Sequence, residues 1–139
     1  MRFLDSNVVV YAFFMPRRQL SAQEQQLKDK SKKIIEKIDT GEKVTLSVVH
    51  LSEIANVLRT CFASHDLVSL FESFYTKKNI IIVDVSQSEY LEAIHLSKSL
   101  NGKVNDCLAA VLMKRHKITE IYTFDADFEK FSWMKVVQV

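Results

Sequence analysis

Short runs rich in β-branched and aromatic residues alternate along this chain with longer stretches of helical spacing, and this alternation limits the possible folds more than any other feature. The strand-like runs span residues 2–4, 43–46, 79–83, 120–124 and 135–139. Apolar residues three and four positions apart predict helices over 21–39, 48–62, 66–76 and 104–116, with another from Ser86 to Leu100. Strands separated by helices predict an α/β fold, a three-layer sandwich with a mainly parallel central sheet of about five strands flanked by helices.

Two of the predicted helices begin with the same capping pattern, a serine followed three residues later by a glutamate. The pairs are Ser21 with Glu24 and Ser86 with Glu89. In such a pattern the serine side chain accepts a hydrogen bond from the glutamate N–H, and the glutamate carboxylate accepts one from the serine N–H. Gly41, just after the first of these helices, is the residue type that most often ends a helix.

The chain offers no obvious point of division into domains. Its 139 residues are close to the usual size of one domain, and two glycines and one proline leave no flexible linker. No internal repeat or low-complexity segment interrupts it. We therefore expect one domain over residues 1–139.

Composition excludes several classes of protein. Lysine and arginine (19) nearly balance aspartate and glutamate (17), so the chain is no polycation, and a pI of about 8.5 only permits a nucleic-acid partner. Two cysteines are too few for a disulfide framework or a structural zinc site. No stretch approaches the roughly 20 apolar residues of a membrane helix, so we expect a soluble, cytoplasmic protein without a membrane partner.

Four carboxylates follow the predicted strands or begin the helices after them. Asp5 comes directly after the first strand and Asp125 ends the fourth, and in a parallel sheet these ends lie at the same edge. Glu53 lies in the apolar segment SVVHLSEIANVL after the second strand, and Asp106 lies near the start of VNDCLAAVL. A carboxylate on such an apolar helical face costs free energy unless something compensates it. The pattern predicts an acidic cluster at one edge of the sheet.

Each carboxylate also has an ordinary structural explanation. Asp5 could cap the following turn, Asp106 could be stabilised by the helix dipole, and Glu53 could reach solvent. Together, however, they would repel one another unless cations lay among them. Oxygen ligands suit Mg²⁺ or Mn²⁺. The histidines show no paired ligand spacing and are expected to be packing or surface residues: His50, His65, His95 and His116.

The segments FLDSNV, SVVHLSEIANVL, VNDCLAAVL and TFDADF, in that order, resemble the PIN-domain ribonucleases. The size and plan of the chain are similar to the VapC-type toxins of that family, and the resemblance covers nearly the whole chain. It implies an acidic quartet that is catalytic and holds one or two Mg²⁺ or Mn²⁺ ions. The quartet corresponds to Asp5, Glu53, Asp106 and Asp125.

The resemblance also implies auxiliary residues, an activity and partners. Its small polar positions correspond to Ser6, Asn7, Ser47 and Thr123, while Asp127 either supports the site through water or caps a turn. The implied activity is hydrolysis of phosphodiester bonds in single-stranded or structured RNA, which leaves a 5′-phosphate and a 3′-hydroxyl. VapC-type toxins act with a small antitoxin that covers the site and often form dimers, so an antitoxin and a second copy are implied as partners.

An RNA substrate needs cations around an acidic site, because phosphate contacts supply most non-specific affinity. Lys103 stands out because it lies three residues before Asp106. The lysines within 28–33 are expected to form the solvated side of a helix, and the aromatic residues within 11–14 have a spacing that favours helix core or a dimer face over base stacking. The candidate RNA-binding residues are Lys103, Arg17 and Arg18, followed by Lys114 and Arg115.

Two other functions compete with the nuclease. A HAD-like phosphatase would use Asp5 as a nucleophile, but its first motif needs a second aspartate where this chain has Asn7. A PIN-like module that binds RNA or protein without cutting would have the same fold and does not need the acidic quartet. We expect the nuclease because the quartet is complete.

Overall fold

The protein is described here from a computed structural model that covers residues 1–139. Five strands form one sheet in which every neighbouring pair is parallel, in the order β3-β2-β1-β4-β5. The strands are β1 (Arg2–Leu4), β2 (Val44–Ser47), β3 (Ile80–Val83), β4 (Glu120–Tyr122) and β5 (Lys135–Val136). The predicted fold class is confirmed, and the sheet is wholly parallel.

Helices connect the strands. They are α1 (Ser6–Phe13), α2 (Ala22–Asp39), α3 (Val48–Leu58), α4 (Ser64–Thr76), α5 (Gln87–Leu100) and α6 (Val104–Arg115), with a short 3₁₀ helix at Ala126–Lys130. Both capping boxes are present at the starts of α2 and α5. Gly41 follows α2 with a φ of 115°, a left-handed value that glycine adopts without steric cost. None of the helices combines the length and the apolar character needed to cross a bilayer.

The sheet separates two apolar clusters. One contains the apolar faces of α1 to α4 packed on Leu4, Val44 and Leu46. The other contains Phe3 and Ile121 with α6 and part of α5. Neighbouring strand residues point to opposite faces of a sheet, so Phe3 and Leu4 enter different clusters and both faces of the sheet are covered.

Several elements are shorter than the sequence patterns predicted. β4 ends at Tyr122 rather than at residue 124, because from Thr123 onward side chains take over the hydrogen bonds, as in the bond from the Asp125 N–H to Thr123 Oγ1 (3.0 Å). β5 covers two residues instead of five, and α3 ends at Leu58 instead of residue 62. Apolar composition continues past the last ladder hydrogen bond, so composition alone overestimates these elements.

The order of the strands creates a crevice at the carboxyl ends of β1 and β4. From β1 the chain moves to β2 and then β3 on one side, and it returns to place β4 on the other side of β1. At such a reversal the two connections diverge, and the space between them is where α/β proteins usually bind ligands. The segments FLDSNV and TFDADF border this crevice.

Candidate active site

Asp5 lies at the junction of β1 and α1, at the bottom of the crevice. Its N–H donates to the carbonyl of Tyr122 (3.0 Å), which continues the sheet by one residue. The residue is 4% exposed, and its side chain accepts a hydrogen bond from Thr123 Oγ1 (2.7 Å) rather than capping α1. The capping explanation of Asp5 is therefore wrong, because its carboxylate points to the loop after β4.

The loop after β4 is organised by hydrogen bonds between its own side chains and backbone. Thr123 Oγ1 accepts from the Asp125 N–H, and Asp125 Oδ1 accepts from the Asp127 N–H (2.9 Å) at the start of the 3₁₀ helix. Asn7 contacts the same loop through Thr123 Oγ1 and the Phe124 N–H, at 3.5 Å each. These bonds hold the FDADF segment against the start of α1.

Glu53 reaches the crevice from the second turn of α3. One carboxylate oxygen accepts a hydrogen bond from the Ser6 hydroxyl, and Oε2 accepts one from the Asn105 side chain (2.6 Å). Ser6 lies on α1 and Asn105 on α6, so Glu53 is held between two helices and does not simply extend into solvent.

Asp106 lies in the first turn of α6 and faces the other carboxylates. Its Oδ2 atom is buried and has no hydrogen-bond partner. A buried carboxylate oxygen without a donor is costly, so this atom needs either a proton or a cation. Asp106, Asp5, Glu53 and Asp125 all line one cavity of about 380 Å³.

The electrostatics of the cavity are those of crowded carboxylates. Burial, helped by the charge of Glu53 and opposed by the hydrogen bond from Thr123, raises the pKa of Asp5 to about 6. Burial also raises the pKa of Asp106 to about 7, and the charges of Asp5 and Asp125 act in the same direction. Both groups therefore hold protons more readily than a free aspartate does.

The donor atoms fit a hard divalent cation. One carboxylate oxygen from each of Asp106, Asp125 and Asp127 lies within 4.8 Å of the other two. Asp5 and Glu53 line the same cavity but do not belong to that closest group, whereas Asp127 belongs to it without lining the cavity. An all-oxygen set with an unpartnered oxygen on Asp106 suits Mg²⁺ or Mn²⁺ better than a soft metal.

The remaining predicted residues lie at different distances from the crevice. Lys103 lines it, and its Nζ lies 3.4 Å from Asp125 Oδ2; the nearby Asp125 raises the pKa of the lysine. Arg18 instead pairs with Glu24 at the start of α2, with both guanidinium nitrogens on the carboxylate (2.8 and 2.6 Å). Arg17 is exposed in the same loop and does not line the cavity.

Ser47 is linked to the site through hydrogen bonds to a histidine. Its hydroxyl caps α3 by accepting from the His50 N–H (3.2 Å) and lies 2.6 Å from His50 Nδ1. His50 Nε2 lies 3.2 Å from the Asn105 carbonyl, which can only accept, so Nε2 carries the proton and Nδ1 accepts from Ser47. Burial lowers the pKa of His50, which keeps it neutral.

Three residues at the site were missed in the sequence. Asn105 holds Glu53, His50 joins α3 to α6, and Tyr90 lines the cavity with its hydroxyl 3.5 Å from Asn105 Oδ1. Asn105 stands beside Asp106 in the motif, a signal that could have found it. His50 was expected to be an ordinary packing or surface residue, and nothing in its spacing indicated its hydrogen bonds.

Comparisons with known proteins identify a family and a fold that the chain matches. A family model described as the PIN domain matches residues 2–134. No curated protein sequence matches the chain. Among solved structures, the chain is similar to Mycobacterium tuberculosis VapC20, described as a sarcin–ricin loop cleaving toxin, with a TM-score of 0.73, 16% identity and coverage of 99% of this chain and 100% of that one.

Two further solved structures have the same fold. A toxin–antitoxin complex from Klebsiella pneumoniae gives a TM-score of 0.66 at 16% identity, and covers 99% of this chain and 97% of its own. VapBC2 from Rickettsia felis, bound to a DNA fragment from its promoter, gives 0.65 at 16% identity, with coverages of 98% and 96%. At such identities the likeness establishes the fold alone.

Proposed function

Because the chain belongs to the PIN-domain family, we propose that it is a divalent-metal-dependent endoribonuclease and the toxin of a toxin–antitoxin pair. The observation that carries this proposal is the buried, unpartnered Oδ2 of Asp106 in a cavity shared with three other carboxylates. Such an arrangement is unfavourable without a cation and becomes favourable with one. The proposed ion is Mg²⁺ or Mn²⁺, and its proposed ligands are Asp5, Glu53, Asp106 and Asp125, with Asp127 as an additional candidate.

A bound divalent ion would stabilise the negative charge that develops on the phosphoryl group during attack, and it would make a water molecule a better nucleophile at neutral pH. The residues of the chain position the other participants. Asp125 orients the attacking water and accepts a proton from it. Lys103 binds a phosphate oxygen at the rim of the cavity. The water oxygen forms a new bond to phosphorus as the bond between phosphorus and O3′ breaks, and O3′ takes a proton from solvent, which gives a 5′-phosphate and a 3′-hydroxyl. No covalent intermediate with the protein is needed.

The experiment compares cleavage of a mixed pool of single-stranded RNA by purified protein with Mg²⁺, with Mn²⁺ and with EDTA. We expect cutting only with metal. Asp5→Asn and Asp106→Asn should reduce the rate by more than the roughly 10–100-fold that losing an outer partner of a metal site costs. The control is Asp29→Asn, which removes the same charge from an exposed position of α2.

Failure of the experiment has a definite meaning. If folded protein free of any co-purified partner cuts no RNA with either metal, the nuclease proposal falls, and a PIN-like module that binds RNA or protein without cutting takes its place. If Asp106→Asn cuts as fast as the parent chain, the proposed ligand set is wrong.

Two protein partners belong to the proposal. A small antitoxin is supported by the similar structure from Klebsiella pneumoniae, which is described as a toxin–antitoxin complex. A second copy of the chain is supported by exposed apolar side chains on α3 and α5 that line one surface cavity: Val48, Leu91 and Ile94. Light scattering of the purified chain across a concentration series tests the dimer, and a Leu91→Glu variant should dissociate it.

A further inference from the structure

A second groove, with a volume of about 470 Å³, lies between α5, α6 and the segment after the 3₁₀ helix. Phe131 and Trp133 form its aromatic wall, with ring centroids 6.1 Å apart. Lys114 and Lys130 line it, and Glu92 is its single carboxylate. The groove therefore combines apolar and aromatic side chains with more lysines than carboxylates.

Two of the elements that carry the acidic cluster, α6 and the 3₁₀ helix, also form this groove. Along α6, Asp106, Ala110 and Lys114 follow at four-residue spacing, so they lie on one side of the helix, and Lys114 lies about 12 Å beyond Asp106. On the 3₁₀ helix, Lys130 Nζ lies 3.9 Å from the Asp127 carboxylate and 3.5 Å from the Leu100 carbonyl. The groove and the acidic site therefore lie on the same two elements, about two helical turns of α6 apart.

The side chains of the groove match a single-stranded nucleic acid. The Lys114 ammonium lies over the Trp133 ring, 5.2 Å from its centroid, so a cation and an aromatic face are presented together. Aromatic faces accept unpaired bases of any sequence, and lysines bind the phosphates between them. Lys114 and Lys130 are both exposed, so a phosphate can reach them from solvent.

We propose that this groove binds the single-stranded RNA next to the phosphate that is cut, with a base against Trp133 and phosphates on Lys114 and Lys130. The inference rests on the proposed function, because it gives the nuclease an extended substrate. A groove that binds a protein segment would also need an apolar wall. It would not need lysines on the elements that carry the acidic site.

Trp133 is the only tryptophan of the chain, so its fluorescence reports on this groove directly. The experiment titrates the protein, in EDTA and at low salt, with a single-stranded oligouridylate of about ten nucleotides, within the usual length range of such sites. We expect saturable quenching of Trp133. Lys114→Gln with Lys130→Gln should weaken binding by about tenfold, given the charge dependence of phosphate contacts.

The matched control is Lys32→Gln with Lys33→Gln, which removes the same charge from exposed positions of α2, on the other face of the sheet. It should change the affinity by less than about twofold. Absence of quenching at saturating RNA, or equal weakening by both double variants, would overturn the groove. A change in Trp133 fluorescence with a purified antitoxin and none with RNA would do the same.

The two proposals fail separately. Because the titration contains EDTA, it needs no catalysis. Quenching without any metal-dependent cleavage would retain the RNA groove and reject the nuclease. Cleavage without quenching would retain the nuclease and reject the groove.

Discussion

At the scale of single residues, the position of Glu53 depends on side chains that are not themselves proposed ligands. The Ser6 hydroxyl and the Asn105 amide each donate to one of its two oxygens. A carboxylate on a long side chain loses rotamer freedom when it is held in one place. These two donors supply the energy that keeps Glu53 in the crevice, and they leave its other lone pairs available.

Asn105→Ala is therefore expected to weaken the site without removing a ligand. Loss of an outer partner of a metal site typically costs about 10–100-fold in metal affinity or activity. Calorimetric titration with Mn²⁺ and the RNA cleavage rate measure the two quantities. Asn56→Ala, at an exposed position of α3, is the control. Unchanged Mn²⁺ affinity in Asn105→Ala would show that Glu53 does not depend on this bond.

A complementary prediction concerns the carboxylates themselves. Because burial and mutual repulsion raise the pKa of Asp106 to about 7, its charge opposes folding at higher pH. Asp106→Asn should therefore melt about 3–6 °C above the parent chain at pH 8 in EDTA, although it should be inactive. Calorimetry or circular dichroism measures this. A lower melting temperature would mean that the carboxylate has a stabilising partner.

At the scale of elements, the site depends on how α3 and α6 meet. His50 is buried on α3, with Ser47 on one ring nitrogen and the Asn105 carbonyl on the other, and its ring packs edge-on to Phe3 with centroids 5.2 Å apart. Glu53 lies three residues after His50, and Asp106 follows Asn105. The histidine thus fixes the distance between the two helices that carry these carboxylates.

His50→Leu keeps an apolar volume and removes both side-chain hydrogen bonds. The expected cost is about 1–3 kcal/mol of unfolding free energy, because the partners lose a buried bond each. Urea denaturation measures this cost. The control is His65→Leu, since the His65 side chain is 84% exposed on α4 and should change stability by less than about 0.5 kcal/mol. Equal effects of the two substitutions would contradict the role of His50.

At the scale of the whole molecule, metal binding and pH should be linked. The folded pKa values of Asp5 and Asp106, about 6 and 7, lie above their ordinary value of 3.8, so the folded state binds more protons than the unfolded state between about pH 4 and 7. Stability without metal should therefore fall as the pH rises through this window. His50 acts in the opposite direction below about pH 6.5, because its folded pKa is lowered.

A divalent cation competes with these protons, so its stabilising effect should grow with pH. At 100 times its dissociation constant a ligand adds about 2.7 kcal/mol, and the melting temperature should rise by several degrees with Mn²⁺ at pH 8 and much less at pH 5.5. In Asp106→Asn, the rise in melting temperature with Mn²⁺ should differ much less between pH 8 and pH 5.5. Such a result would assign the pH dependence to the acidic site and not to His50. A Mn²⁺ effect that is independent of pH would place the ion elsewhere.

The sequence by itself determined the fold class and the set of acidic residues. Strand and helix periods of two and 3.6 residues are local properties, and so are the serine and glutamate pairs that cap α2 and α5. The free-energy cost of placing Glu53 and Asp106 on apolar helical faces could also be inferred from the local sequence. That is why four carboxylates could be assigned to one edge before any contact was known, although their catalytic roles stay predictions.

Only the tertiary structure decided which atoms meet. Several contacts depend on side-chain geometry. Asp127 lies close to Asp106 and Asp125, Asn105 donates to Glu53, Arg18 pairs with Glu24, and His50 makes hydrogen bonds through both ring nitrogens. The boundaries of β4 and β5 also depended on where ladder bonds gave way to other partners. Such contacts join different elements, and a pattern within one element contains no information about the distance to another.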